Sequence, residues 1–254
     1  MSGPPALWSD LRRYTPARVA LGRAGNGVPT QAHLAFQADH AAARDAVHAA
    51  LDVPDLLGQL AAAGLSARVA HSACPDRRTY LLRPDLGRRL LDADRATLAS
   101  RPAAGKVAFV VCDGLSALAV QRHAAPLLAL LVPALEPNAA IVVATQGRVA
   151  LGDDIGAALG ASAVIVLIGE RPGLSTPDSL GAYLTWQPRP GRSDAERNCL
   201  SNIRADGLPV PEAARKLRWL AAEMRRLRLT GVALKDAAPA IGMNQDNSTS
   251  VLST

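Results

Sequence analysis

Four polar segments of this chain have residue types and spacings that could do chemistry. The first, Val111-Cys-Asp-Gly-Leu-Ser116, closes an apolar run with an aspartate and a glycine. Such an ending can set the Asp113 carboxylate at the mouth of a sheet, with N–H groups of the next helix facing a ligand. The same residues equally describe a strand-to-helix turn in which Asp113 caps the helix, since Asp is among the best capping residues. Gly147-Arg-Val-Ala-Leu-Gly-Asp-Asp154 offers glycines that permit close backbone approach to a flat ligand, and Val149 as an apolar contact. Its alternative is an ordinary loop whose aspartates complement a helix dipole.

Gly169-Glu-Arg-Pro-Gly173 follows a wholly apolar run and locks a charged pair between glycine and proline. Here Glu170 would accept hydrogen bonds from amide or hydroxyl donors of a polar ligand. Against that stands a Glu170–Arg171 surface pair, worth about 0–1 kcal/mol. Asp194 to Arg204 is a polar cluster in what reads as a long irregular connection, and such connections are often functional. Cys199 within it could be a nucleophile, but no histidine follows His123 to make a nearby pair. A small side chain lining a pocket is the better description. His123 itself reads as a ligand candidate or, more simply, a solvated helix residue.

These segments need elements to hold them. Val107–Val111, Ala140–Val143 and Ala163–Ile168 are continuous apolar runs, suited to strands covered on both faces of a parallel sheet. Helical stretches separate them, from Leu115 to about Leu135 with a kink expected at Pro126, and from Asp153 to Leu159 before Gly160. Strand, helix, strand, helix, strand is the βαβ pattern, with right-handed crossovers. The expected fold is α/β: a helical N-terminal portion over residues 1–101, then a Rossmann-like, mostly parallel sheet with flanking helices over 102–236, then a disordered polar tail over 237–254.

In the first portion, Thr30 can cap a helix running to about Leu51, and Asp55–Ala63 forms a second one ended by Gly64. Ala67–His71 is a short β-prone piece, and Pro84 opens a helix through about Leu98. Ala182–Trp186 reads as an added edge strand. Pro211 starts a long amphipathic helix with Ala213, Leu217, Leu220, Ala221, Met224 and Leu227 on one side and Arg215, Arg218, Arg225 and Arg226 on the other. In open parallel sheets ligands bind beyond the carboxyl ends of the strands, which here carry three of the polar segments.

Composition narrows the classes. Apolar residues make up 49% of 254 and charged residues 20%, ordinary for a soluble globular chain. No uninterrupted apolar run approaches the roughly 20 residues that cross a bilayer, and the first residues lack a secretory signal. A net charge of +6 comes from arginines spread along the chain, without the basic patch and stacking aromatics of a nucleic-acid binder. An acidic protein partner suits the charge better. The three cysteines are far apart with no C-x-x-C, so neither a zinc site nor a disulfide framework is expected. A G-x-G-x-x-G fingerprint is also absent.

Six ordered blocks resemble the ethanolamine ammonia-lyase small subunit family: Thr15 to Gly25, Asp39 to His48, Asp113 to Gln121, Gly147 to Asp153, Gly169 to Leu174 and Glu196 to Ile203. The likeness spans roughly residues 12 to 234. It implies a partner large subunit with a TIM barrel, adenosylcobalamin (coenzyme B12) held between the two, and conversion of ethanolamine to acetaldehyde and ammonia by a radical route. The implied cobalamin contacts in this chain are Val149, Glu170 and Cys199, with no catalytic or metal-ligating residue; ethanolamine is bound mainly by the large subunit. The D-x-H-x-x-G pattern that offers a histidine to cobalt is absent, so the resemblance implies that the cofactor keeps its own base. A cytoplasmic setting is implied, with a bacterial microcompartment as one address, although the stretch before Arg12 is short for a targeting extension. Two other readings stand beside this one: an assembly subunit without cofactor contact, and a stand-alone enzyme using Asp113 and Glu170 as paired carboxylates.

Overall fold

The structure, a computed structural model, describes residues 10–15, 17–103 and 105–237. The tail expected from composition lies outside those residues, apart from Ala237. In chain order the elements are α1 (Thr30–His48), α2 (Val53–Ala62), β1 (Arg68–His71), α3 (Arg77–Leu82), α4 (Asp92–Ala99), β2 (Val107–Cys112) and α5 (Ala117–Leu135). Then follow β3 (Ile141–Thr145), α6 (Leu151–Ala158), β4 (Ala163–Gly169), β5 (Leu180–Trp186), β6 (Asn198–Ile203) and α7 (Val210–Leu227).

All six strands form one sheet in the order β1-β3-β2-β4-β5-β6. The first four are parallel, with Val110 of β2 set between Val142 and Val166, whereas β5 and β6 are added antiparallel. Apolar runs at the centre explain this arrangement: every residue of β2 and β4 is buried, so both faces must be covered. One face, carrying Phe109, Val111, Val143, Ile165 and Leu167, packs under α2, α5 and α7. The other, carrying Val110, Val142, Val164 and Val166, packs under α4 and α6. Gly152 allows that second layer to lie close, because a Cβ there would come within 2.2 Å of Val166 Cγ2.

The expected α/β fold with a mostly parallel sheet is what the chain adopts. β1, from the first third of the chain, is the parallel edge of the same sheet. Helix α5 is long and apolar enough to cross a membrane by length and composition, yet much of it is buried against the sheet. It runs through Pro126 and Pro133 and is capped by Ser116, whose Oγ accepts from Ala119 N at 3.1 Å. The apolar side read for α7 is buried except for Leu227, which lies at the end of the helix.

Several local expectations give way to tertiary partners. Thr30 sits inside the first turn of α1, after Pro29. The helix expected from Pro84 is split into a 3-10 turn at Leu86–Arg88 and then α4, and the Leu90 N–H goes to Asp154 at 2.8 Å instead of continuing a helix. Asn198–Ile203 is the outer strand β6, so β5 is interior to the sheet. The polar residues of β6 hid a strand in which Leu200 and Ile203 turn into the core.

Candidate functional site

The parallel strands reverse direction of winding at β2: α5 crosses one face to β3, and α6 returns over the other face to β4. Ligands favour the crevice at such a reversal, outside the carboxyl ends of the strands. Asp113 stands there, 1% exposed. It does not cap α5, which Ser116 does. Asp113 Oδ1 instead accepts from Gly114 N and Gly147 N, each at 3.0 Å, and so ties the loop after β2 to the loop after β3. Burial pushes its carboxyl up, opposed by these N–H groups and by Arg77, whose Nη1 lies 3.5 Å away. Arg77 also donates to Val47 O and Gly114 O, both at 2.7 Å, linking α1 to the strand end.

Tyr80 is sandwiched between two guanidiniums, Arg77 at 4.7 Å and Arg148 at 4.2 Å from its ring centre. Its hydroxyl donates to Gly147 O at 3.1 Å, and Arg148 Nη2 donates to Tyr80 O at the same distance. The loop Gln146–Val149 is thus held from both ends. Gln146 adopts a left-handed backbone with φ 55°, an arrangement non-glycine residues rarely take. Three polar atoms here are buried without a partner: Arg77 Nη2, Gln146 Oε1 and Arg148 Nε. Buried polar groups are ordinarily satisfied, so three such atoms gathered at strand ends make this a candidate site.

Glu170 leaves the end of β4 and is fixed from below. Its Oε2 accepts from Ser179 Oγ and from Asn202 N at 3.1 Å. Its Oε1 lies over Gly181, where a Cβ would stand 3.0 Å from it. Any larger residue at that position would displace the carboxylate. Tyr183, two residues along β5 on the same side, pairs with Cys199 of β6. Burial pushes both the Tyr183 hydroxyl and the Cys199 thiol above their ordinary ranges, and the Glu170 charge adds to each. Cys199 reaches solvent. With its thiol pushed up and no histidine beside it, it is a poor nucleophile.

Val149 lies in the turn just before α6 and lines a cleft of about 410 Å³ with Arg88, Arg148, Arg192, Ser193 and Asp194. Asp194 is also a charge neighbour of Tyr183. Two ion pairs hold α6, one fully buried and one in which a buried aspartate meets an exposed arginine. Arg197 is bidentate to Asp153 at 2.6 and 2.7 Å, and Arg95 is bidentate to Asp154 at 2.9 and 2.8 Å. The aspartates expected to complement the helix dipole are therefore buried anchors. Burial pushes Asp153 up against the pull of Arg197; at Asp154 burial acts the same way, but Arg95 and the Leu90 N–H outweigh it and hold the carboxyl low.

Of the residues singled out from sequence, Glu170 and Cys199 lie to either side of Tyr183, and Val149 lines a separate cleft with Asp194, whose charge is felt at Tyr183. Asp113 is not with them; it lies inside the fold as a brace, which removes it as an accessible acid or base. Arg171 turns into a separate groove of about 480 Å³ against His40, Arg44 and Val47 of α1. His123 is not solvated: its side chain is 13% exposed and faces Asp178 at 3.7 Å. Tyr183, Arg77 and Tyr80 were missed. Only Tyr183 left a signal, since Gly181, Tyr183 and Thr185 alternate with Leu180, Ala182 and Leu184 along β5.

The fold and this arrangement define an α/β subunit whose polar loops gather at the carboxyl ends of a mostly parallel sheet. Residues 5–235 match the family model described as ethanolamine ammonia-lyase light chain. The chain belongs to that family, one subunit of a carbon–nitrogen lyase. It is 58% identical over 236 residues to the ethanolamine ammonia-lyase small subunit of Bradyrhizobium diazoefficiens, covering 89% of each chain. The small subunit of Xanthomonas campestris pv. campestris is 53% identical over 244 residues, 92% of this chain and 89% of that one. That of Pseudomonas syringae pv. tomato is 49% identical over 255 residues, 97% and 89% respectively.

Proposed function

We propose that this chain, paired with a large subunit, holds adenosylcobalamin for the conversion of ethanolamine to acetaldehyde and ammonia, with Val149, Glu170 and Cys199 as its contacts to the cofactor. The observation that carries this reading is the setting of Glu170. Its carboxylate is pinned by Ser179 and Asn202 at a strand end, with one oxygen left over Gly181 beside Tyr183 and Cys199. A corrin is broad, apolar across its face and fringed by uncharged amides, so its receptor needs apolar contacts and scattered acceptors and donors. The residues present fit such a group. Glu170 supplies an acceptor for an amide N–H, Val149 an apolar contact, Cys199 a small side chain, and the unpartnered Gln146 Oε1 marks a polar strand end nearby.

When bound, the coenzyme supplies the radical chemistry that hydrogen abstraction from an unactivated carbon demands. The work of this chain is to position: Asp113 and Tyr80 hold the Val149 loop, while Ser179 and Asn202 hold Glu170. Substrate contacts belong mainly to the large subunit. The setting that goes with this reading is cytoplasmic, with a bacterial microcompartment as an address where ethanolamine degradation is packaged.

An absorbance titration of the two-subunit complex with cobalamin tests the reading. Binding and ammonia release from ethanolamine are expected only with both subunits present. Glu170→Ala should weaken cofactor affinity about tenfold, the size of one hydrogen bond to a charged group, while leaving assembly intact. Unchanged affinity in that variant takes Glu170 out of the site. Turnover by this chain alone would favour the stand-alone enzyme instead.

A further inference from the structure

A pocket of about 480 Å³ lies at the end of the sheet opposite Glu170, among the starts of β2 and β4, the end of β5 and the carboxyl ends of α5 and α7. Three cations line it, Lys106, Arg225 and Arg228, against one carboxylate, Glu136. That carboxylate is already spent: its Oε2 accepts from Arg225 at 3.1 Å and from Lys106 N at 3.3 Å. Among the described residues the Lys106 ammonium and the Arg228 guanidinium have no carboxylate partner, and the Ser162 hydroxyl and Gln187 side-chain amide make no hydrogen bond. The main chain stitches three of these residues in a row. Ser162 N donates to Lys106 O at 2.8 Å, and Gln187 N donates to Ser162 O at 2.7 Å. Arg192 holds the Trp186 and Gln187 carbonyls, each at 3.1 Å, so this wall is rigid. Gln187 and Arg228 both take a left-handed backbone, φ 48° and 57°, where a glycine would be free of strain. Two long polar side chains thus stand at the pocket against the preference of the backbone.

We infer that this pocket binds a small organic phosphate, a dianion carrying a flat group. Two cations without counter-charges match two negative charges, whereas a single carboxylate would leave one of them unpaired. The Arg228 fork fits phosphate oxygens, Lys106 adds a point charge, and Ser162 and Gln187 supply donors for the oxygens that remain. The half-buried Trp186 offers apolar surface for the flat group to lie on. The volume is within the range of small-molecule sites. An adjoining groove along α7 shares Arg225 and adds Arg218, which deepens the positive field around the entrance. Ser162 precedes β4 and Glu170 follows it, so the pocket and the Glu170 loop are separate sites.

Calorimetric titration of the two-subunit complex tests this with three probes: phenyl phosphate, inorganic phosphate and phenol. Phenyl phosphate should bind most tightly and inorganic phosphate more weakly, while phenol gives no measurable binding. Lys106→Glu and Arg228→Glu, both at exposed positions, should each weaken phenyl phosphate by about tenfold or more, the size of one lost hydrogen bond to a charged group. Trp186→Leu should bring phenyl phosphate down to the level of inorganic phosphate. Arg226→Glu, an exposed change on α7 outside the pocket, should leave both phosphates within about twofold. Equal losses in Arg226→Glu and Arg228→Glu would mean diffuse attraction of anions and would overturn the inference. So would the absence of binding by either phosphate, or binding that neither pocket substitution weakens. Saturation with cobalamin should leave phenyl phosphate in place; its displacement would overturn the separate site while the assignment of Glu170 stands.

Discussion

The two faces of the sheet are built on different physics. Under α2, α5 and α7 the contact is mainly apolar, from Leu56 through Leu131 to Met224, with polar ties between the helices at Gln121–Asp55 and at Arg225 to Leu135 O and Glu136. Under α4 and α6 an apolar layer is also present, but α6 is fixed in addition by the Arg197–Asp153 and Arg95–Asp154 pairs. An apolar interface tolerates small slides, because many side-chain arrangements fill the same volume. A buried bidentate pair does not, since each partner left alone inside the fold is costly. The face under α2, α5 and α7 is thus secured chiefly by volume, and the face against which Val149 and Tyr183 pack is secured in addition by charge in fixed positions. The difference places directional bonds on the side of the sheet that carries the Val149 loop.

This contrast can be broken most severely at Asp153. Asp153→Ala takes the bidentate carboxylate from the Arg197 guanidinium, whose side chain is 1% exposed, leaving it Asp194, Thr185 and Arg192 O, and should cost about 3 kcal/mol of unfolding free energy in urea titration. Replacing both partners by apolar residues, Asp153→Leu with Arg197→Met, should recover most of that loss yet still disturb the cleft of Val149. If the single change cost under about 1 kcal/mol, the charged anchor would not be what holds α6. On the opposite face Ile165→Val removes one methylene group from the packed core and should cost about 1 kcal/mol, with no effect on cofactor affinity. A loss of affinity there would erase the distinction between the faces.

Acid provides the gentlest probe. The Asp154 carboxyl is held below its unfolded value, about 3.9, so its ionised form stabilises the fold at every pH above that value. The contribution should drain away as pH falls below about 4 and through the folded pKa. Urea midpoints measured down that range should fall more steeply for wild type than for Asp154→Asn. Parallel slopes would show that the pair contributes nothing that depends on its charge.

Much of the fold was legible in the chain because its central strands are uninterrupted apolar runs and its breaks are Gly and Pro. Gly64 and Gly160 stop α2 and α6 where they stand in the sequence. What stayed hidden were contacts between distant residues. Nothing near Asp153 announces Arg197, which lies 44 residues on, and nothing near Leu90 announces that its N–H will be taken by Asp154. β6 was hidden for a related reason: as an edge strand it exposes Cys199, Ser201 and Asn202, and so reads as a loop. Glu170 was legible as a strand-end carboxylate, but its supports, Ser179 just before β5 and Asn202 in β6, are brought in by the antiparallel strands, whose approach no local pattern foretells.

Arg77 gives one surface helix an unusual reach. α1 is exposed along nearly its whole length, with Ala46 its one buried residue, and Arg77 grips its last turn at Val47 while holding Gly114 and Asp113 with the same guanidinium. Because Asp113 in turn carries Gly147, a pull on the outer helix is transmitted to the Val149 loop through only two side chains. The helix and the loop are in that sense one lever, with its fulcrum inside the protein and its long arm in solvent.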